Sequence, residues 1–581
     1  MLPEDYFTQH HTIAQKQYEA LRAFFIDKLS AKESAEKFDY TLRAFNSLVA
    51  DFRKRLEEKP EYNEPFFQVK RPGRRLKKET HQLLDLIIEL RKKNYSVGDI
   101  KTVLDSKKLN TSERYISLML KKQGFTRLPR RSKGFKATLE QPKIEADKSL
   151  TIDFVPENFT TNSSGIMLFI PYLEKYGILE AIRESNYPQT KTIDRVSSLL
   201  AFQALKLYNI RRYSADDLWC MDRGLGFFSG LNVLPKAAWY SSYSHRVTRE
   251  MNYDFLKKLH TIWQKNDLLG DTVNLDFVTV PYWGDEEHLE NNWSGKRGKS
   301  LASMLAVLAH DPDLGIIDYG DINVMHKNEH LVVLEFLDFY KKNSQKKDEL
   351  KYLIFDSKFT NYKNLKILDD KDIKFVTIRR RGKKLVEQIN NIQESLWKKI
   401  RVMNSDGKGR TLKVYDQNIF LKEYNDTIRQ IAITGHGKVK PALIITNDFD
   451  LKVEEIIRKY SRRWLVEKSI SEQTDFFHLN RISSSMVIKV DFDLTMTILA
   501  HNLYRLFAID LERYSHLSDV RLHEKFISNS GEIEVTGDKI EVKMKKKRDL
   551  PEILTIMERY KNLKISWMKN KRIVFNGLSN S

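Results

Sequence analysis

The chain has 581 residues, with 99 Lys and Arg against 78 Asp and Glu, a formal charge of +21. That length allows about four domains and buries enough surface to fold without staples. The single cysteine, Cys220, excludes an internal disulfide framework and a cysteine-rich zinc site. The surplus of cations points to a polyanion partner, nucleic acid foremost. No apolar run reaches the roughly 18 residues of a membrane span, so no membrane partner is expected. The first residues lack a cationic start followed by an apolar stretch, so no secretory leader is expected and the compartment is read as cytoplasmic.

Residues 1–60 are predicted to form a first helix-turn-helix unit. Tyr18–Phe25 has helical apolar spacing, Ser30 and Glu33 form a capping box before a short helix, and Thr41 caps a third helix carrying Arg43 and Arg53. Residues 61–80 are a basic linker with Arg71, Arg74 and Arg75 around Pro72-Gly73, suited to following a phosphate backbone. Residues 81–135 repeat the three-helix pattern. His81–Lys93 is amphipathic, Ser96 starts a short helix, Thr111 or Ser112 caps a third, Gly124 is a C-cap, and Arg130 and Arg131 follow. Three-helix units without DNA exist, but two in tandem joined by a basic arm favour a DNA-binding front end.

Residues 136–150 are a polar linker, and 151–269 read as a helical domain with helices near Ile166–Tyr176, Ile193–Tyr208, Ser214–Asp222 and Ser241–Lys265. After Gly270 the pattern changes. Val273–Pro281, Leu301–His310 and Gly315–Val324 read as strands, Glu329–Lys342 as an amphipathic helix, Tyr352–Asp356 as a strand ending on an acid, Asn361–Leu368 as a helix and Lys374–Arg379 as a strand. This order is that of a ribonuclease-H-like sheet, in which the first and fourth strands are neighbours, so Asp276 and Asp356 can reach one site. The fold class is therefore multidomain α/β, with such a core in 270–379 and 441–515. Residues 380–440 form a β-rich insertion with runs at Arg410–Val414 and Ile428–Thr434. A third acid should come from the helix after Val453, on which Tyr460, Arg463, Trp464 and Glu467 lie.

Tyr460, two residues, Arg463, three residues, Glu467 resembles the signature of bacterial insertion-sequence DDE transposases, Tyr-x2-Arg-x3-Glu-x6-Lys. The resemblance covers about 270–510. It implies that Asp276, Asp356 and Glu467 are the catalytic and metal-binding acids, that Tyr460 and Arg463 contact phosphate beside the scissile bond, and that Trp464 stacks a displaced base. The family lysine is replaced by Thr474. Similar transposases also carry a β-rich insertion before the Glu helix, and tandem helix-turn-helix units like these on proteins that recognise terminal inverted repeats. The implied partners are double-stranded DNA, as element ends and target, and a second copy in a synaptic homodimer. The setting would be bacterial, with nucleoid association in action.

The chemistry fits these residue types. Phosphodiester hydrolysis needs an activated water and a stabilised leaving oxygen, which two divalent ions about 3.5–4 Å apart supply. Clustered carboxylates give the hard oxygen ligands that Mg²⁺ prefers, with Mn²⁺ as a substitute. Glu472 competes as the third acid but points about 140° away from Glu467 round an ideal helix. Asp285, Glu286 and Glu287 read as a solvated loop, and His326 with His330 lack a third zinc ligand. Lys296 and Arg297, before the second core strand, suit a DNA-backbone contact as well as a solvated turn. In 516–581, Ile533–Val535 and Ile540–Val542 read as a hairpin, followed by Lys543, Lys545, Lys546, Lys547 and Arg548, whose plain reading is a charged edge. Competing functions are a DNA-binding protein without cleavage, domesticated or self-regulating, and a metal-dependent nuclease without strand transfer.

Overall fold

The computed structural model describes residues 13–58, 78–92, 95–122, 125, 151–210, 218–281, 290–294, 298–343, 350–403, 409–437, 440–463, 465, 475–479 and 487–578. Two compact units divide the chain, 1–81 and 82–581.

The first unit holds helices α1 (Ile13–Phe25), α2 (Ala31–Lys37) and α3 (Leu42–Glu58). The capping box forms as the sequence suggests: Ser30 Oγ accepts from the Glu33 amide at 3.2 Å, and Glu33 accepts from the Ser30 amide at 2.8 Å. Thr41 caps α3 by accepting from Ala44 N–H at 3.2 Å. Ala20, Leu21, Ala35, Phe38, Phe45 and Val49 close a small core.

Helix α4 (Lys78–Lys92) leads into the larger unit, where α5 (Val97–Ser106) and α6 (Glu113–Lys122) complete a second three-helix set. Ser96 caps α5, with Asp99 as the reciprocal acid, and Ser112 caps the start of α6. This set packs on the body of the unit. Tyr95 hydroxyl donates to Asn323, and Lys107 forms an ion pair with Glu335 at 3.1 Å, with side chains 0% and 6% exposed. These anchors are 228 residues apart in sequence.

The segment after residue 151 is mostly helical but starts with a strand, β1 (Glu157–Thr161); its long helices are α7 (Arg195–Leu207) and α8 (Arg249–Lys265). The run expected at Ser241–Lys265 breaks at Thr248, whose hydroxyl caps α8 by accepting from Met251 N–H. The central sheet contains β2 (Thr272–Pro281), β3 (Asn291–Ser294), β4 (Lys299–His310), β5 (Ile317–Val324), β6 (Tyr352–Phe355), β7 (Lys374–Ile378), β8 (Lys398–Met403), β9 (Gly409–Leu421), β10 (Asp426–Thr434) and β11 (Ala442–Thr446). Their order is β3-β4-β2-β6-β7-β11-β10-β9-β8, with β5 also paired to β4. β2, β6 and β7 run parallel, whereas β4 and β5 are antiparallel in the hairpin manner. The β-rich residues after β7 extend this same sheet: β11 pairs with β7, and β10, β9 and β8 follow antiparallel. β9 runs on to Leu421, longer than the alternating pattern indicates, and turns into β10 through Asn425, which has a positive φ of 59°.

Helix α9 (Val332–Asn343) connects β5 to β6, α10 (Val453–Ser461) follows β11, and α11 (Val487–Asp510) crosses β5. α11 is buried from residue 489 to 504 on nearly every side, as an apolar helix must be when protein surrounds it. It lies so close to β5 that a Cβ on Gly320 would sit 2.7 Å from Ile498 Cδ1, so the isoleucine tip would have to shift to admit a side chain there. The C-terminal hairpin forms as β12 (Gly531–Val535) and β13 (Lys539–Met544), with Ile533 opposite Val542. It belongs to a second sheet in the order β1-β12-β13, then β15 (Lys571–Gly577), then β14 (Lys564–Ile565). Among the described residues no helix is long and apolar enough to cross a membrane.

Candidate active site

The site begins with register. β2 and β6 are parallel neighbours whose last paired residues are Leu275 and Phe355. One step further along each chain come Asp276 and Asp356, and both carboxylates act electrostatically on the same phenol, that of Tyr460. Each carboxylate is oriented by the chain that follows it. Asp276 Oδ1 accepts from Phe277 N–H at 2.8 Å, and Asp356 Oδ1 accepts from Ser357 N–H at 2.6 Å. Phe277 stacks on Phe359 with ring centroids 4.0 Å apart, fastening the turn after Asp356 to β2. Arg380 Nε donates to Ser357 O at 3.0 Å and holds that turn from the other side.

The last turn of helix α10 and the residues just after it deliver the cations. Arg463 Nη1 donates to Asp276 Oδ2, with both side chains 12% exposed, and its guanidinium lies 5.7 Å from the centre of the Tyr460 ring. Burial lifts the Tyr460 phenol to about 12, with the Arg463 cation pulling the other way. Arg462 turns outward, bonding Asp313 at 2.7 Å and Pro312 O at 2.7 Å in the β4–β5 turn. Asn274 Nδ2 donates to Arg462 O at 3.1 Å and pins the helix end to β2. Lys459 Nζ bonds Thr272 Oγ1 at 3.0 Å and sits 3.9 Å from the centre of the Tyr352 ring; burial lowers its pKa.

The sequence pattern places Tyr460, Arg463 and Glu467 on one helix. The structure corrects this: α10 ends at Ser461, Arg462 is its C-cap, and Arg463 lies beyond. The reason is partly local and partly tertiary. Arg463 N–H and Leu465 N–H bond carbonyls three residues back, tightening the chain into turns, while the two arginine side chains are drawn to Asp276 and Asp313. Tyr460 and Arg463 nonetheless meet.

Glu467, Glu472, Trp464, Thr474, Lys296, Arg297, Arg71, Arg74, Arg75, Arg130 and Arg131 lie outside the described residues. Arg43 and Arg53 are exposed on α3, and Arg53 lies 5.6 Å from the centre of the Phe25 ring. Among the described residues no three His, Cys, Asp or Glu side chains gather closely enough for a metal. The pair that is described suits a hard divalent cation in kind: two register-adjacent carboxylates, one of them already carrying a guanidinium. Asn274, Lys459, Arg462 and Arg380 are supporting residues that the sequence did not single out. The runs Arg379-Arg380-Arg381 and Arg462-Arg463 are the signals that could have found two of them.

Residues 278–503 match the family described as transposase DDE domain. The match spans Asp356, Tyr460, Arg463 and Glu467 and starts two residues after Asp276. Among solved structures, the chain is similar to a piggyBac transposase in a cryo-EM synaptic complex with hairpin DNA. The identity is 11%, the coverage 71% of this chain and 84% of that chain, and the TM-score 0.33. No curated protein matches. Over residues 278–503, then, this chain is similar to the transposase DDE domain family.

Proposed function

We propose that the protein is a DNA transposase that binds the terminal inverted repeats of its element, cleaves the DNA at the ends and joins the 3′-hydroxyls to target DNA. The observation that carries this reading is the parallel pairing of the strands that lead to Asp276 and Asp356, at and just before the start of the region that matches a transposase DDE domain. The order β5-β4-β2-β6-β7, antiparallel on one side of β2 and parallel on the other, supports a ribonuclease-H-like core.

Asp276, Asp356 and Glu467 are the residues that would hold two Mg²⁺ ions, or Mn²⁺ in their place. Bound there, the metal supplies a nucleophilic water at neutral pH and offsets charge on the leaving oxygen. The remaining work falls to side chains. Arg463 sits where a phosphate beside Asp276 would lie, and its fork can hold two phosphate oxygens. Tyr460, its phenol raised to about 12, keeps its proton at neutral pH and donates it to a phosphate oxygen. Arg380 and Phe359 keep Asp356 in place as the backbone passes. Two ends must be brought together, so a synaptic homodimer is the working form.

The test is cleavage and joining on DNA bearing the native element ends, in Mg²⁺, by wild type, Glu467→Ala and Glu472→Ala. Nicked and joined products from wild type and Glu472→Ala, with none from Glu467→Ala, support the reading. Activity retained in Glu467→Ala removes the proposed third acid. Binding of the ends without products in any divalent metal replaces the transposase by a DNA-binding protein, and cleavage without joining replaces it by a nuclease.

A further inference from the structure

The cationic run after β13 is not a loose charged edge. Lys547 Nζ donates to Glu524 O at 3.3 Å and to Ser528 O at 2.5 Å. Lys545 N–H donates to Ser530 O at 2.9 Å, and Asn529 Nδ2 donates to Lys545 O at 3.1 Å. Lys525 pairs with Asp549 just past the run, and Tyr514 hydroxyl donates to the same carboxylate at 3.1 Å. These bonds hold residues 545–549 against residues 514–530; Arg513, Tyr514, His516, Arg521, Glu524 and Lys525 rim a cavity of about 530 Å³, while Lys545 lines a second cavity beside Ser530 and Glu532.

The charge balance there is one-sided. Glu524 is taken up by Arg521 at 3.0 Å and Asp549 by Lys525. Arg513, Lys545, Lys546 and Arg548 are exposed and form no ion pair among the described residues. The Tyr514 ring lies between two cations, Arg513 at 5.4 Å and Lys525 at 4.9 Å from its centre. A fixed backbone presenting three exposed cations, with Arg513 exposed beside Tyr514 on the segment it is bonded to, suits a polyanion with evenly spaced charges.

The patch is joined to the acidic pair by a short series of contacts. Arg462, next to Arg463, grips the β4–β5 turn at Pro312 and Asp313. Arg505 on α11 donates to Leu314 O in that turn at 3.3 Å, and then to Ser515 O at 2.7 Å and Leu517 O at 3.2 Å on the cavity side. Gly315, at φ +78°, lets the turn lie against Arg505, whose Nε would be 2.8 Å from an added Cβ.

We propose that Arg513, Lys545, Lys546 and Arg548 form a second DNA-binding surface, outside the acidic site, that grips the phosphate backbone of the duplex leaving that site across the β4–β5 turn. The proposal rests on DNA being the substrate, and its test is independent of cleavage. The affinity of the full chain for an element-end duplex is measured in EDTA over a series of salt concentrations. The proteins are wild type, the fourfold variant Arg513→Gln/Lys545→Gln/Lys546→Gln/Arg548→Gln, and a charge-matched control, Lys341→Gln/Lys342→Gln/Lys351→Gln/Lys363→Gln. Removing one cation that neutralises a phosphate lowers the slope of log affinity against log salt by about 0.9, so the patch variant should fall by about three to four in slope. Hydroxyl-radical footprinting should show weaker protection in the duplex beyond the cleavage position. The expected result is a reduced slope in the patch variant with the control near wild type. An unchanged slope in the patch variant, or an equal drop in the control, overturns the proposal. If slope and footprint both weaken in the patch variant while wild type cuts nothing in any metal, this surface stands and the transposase reading falls.

Discussion

Two groups of paired charges divide the larger unit, and they differ in how far water reaches them. In the middle of the sheet, where β6 ends beside β2, Asp276 meets Arg463, near a second acid whose carboxylate accepts from Ser357 N–H. Behind the sheet, Arg249 on α8 is fully enclosed. It bonds Asp491 at 2.6 Å and Asp321 at 3.3 Å, while Asn252 donates to Asp491 at 2.6 Å. Lys206 reaches Asp493 at 2.7 Å, and Lys107 reaches Glu335. Burial lifts Asp491 to about 6 although Arg249 and Asn252 pull it back, and the flanking carboxylates hold Arg249 charged. The enclosed set ties α5, α7, α8, β5, α9 and α11 together, and a partner cannot be exchanged there without leaving a bare charge. The Asp276–Arg463 pair keeps more contact with water than the enclosed set. On the proposed function, similar charge chemistry serves assembly in one place and turnover in the other.

The comparison breaks most visibly at its active end. Asp276→Asn should lower cleavage of element-end DNA by several kcal/mol of barrier, on the order of a thousand-fold or more. Its unfolding curve should stay close to wild type. A large loss of stability would mean that Asp276 belongs to the structural set.

Arg249→Met should do the reverse, destabilising the larger unit by about 3–5 kcal/mol because Asp491 and Asp321 are left without their cation. Denaturant unfolding measures this. A change within about 1 kcal/mol would show that the enclosed pairs are not what holds these elements together.

A smaller effect comes from pH. Burial holds His523 at about 4, below its ordinary 6.5, next to Tyr504 and Phe476. The unfolded chain therefore binds this proton first. The stabilisation is complete above about pH 6.5 and is lost as pH falls toward 4, amounting to about 3 kcal/mol. His523→Gln should flatten the stability profile between pH 6.5 and 4 relative to wild type, and an unchanged profile rules the histidine out. Smallest is the cap at the docked three-helix set. Ser96→Ala removes the acceptor for Asp99 N–H and should cost about 1 kcal/mol, read by the same unfolding measurement.

What the sequence made legible was local. The capping boxes at Ser30 and Ser96, the core strands and the hairpin around Thr536 follow from spacing and side-chain chemistry within a few residues. The pairing of β2 with β6 was legible only through strand order, and it is that pairing which makes Asp276 and Asp356 neighbours. Partners far apart in the chain were not legible. β1 pairs with β12 more than 350 residues later, and Lys107 finds Glu335, because burial and complementary edges select them and no local pattern records it. The end of α10 at Ser461 was missed for the same reason. The pattern continues as a helix, but tertiary bonds from Arg462 and Arg463 turn the chain.

The most direct measurement of the central claim is cleavage of element-end DNA by Asp276→Cys and Asp356→Cys in Mg²⁺ and in Mn²⁺. A thiolate is a poor ligand for Mg²⁺ and a better one for Mn²⁺. If these side chains hold the metal, both variants should be inactive in Mg²⁺ and regain cleavage in Mn²⁺. Full activity of either variant in Mg²⁺ would contradict the assignment of the strand-end pair as the metal centre.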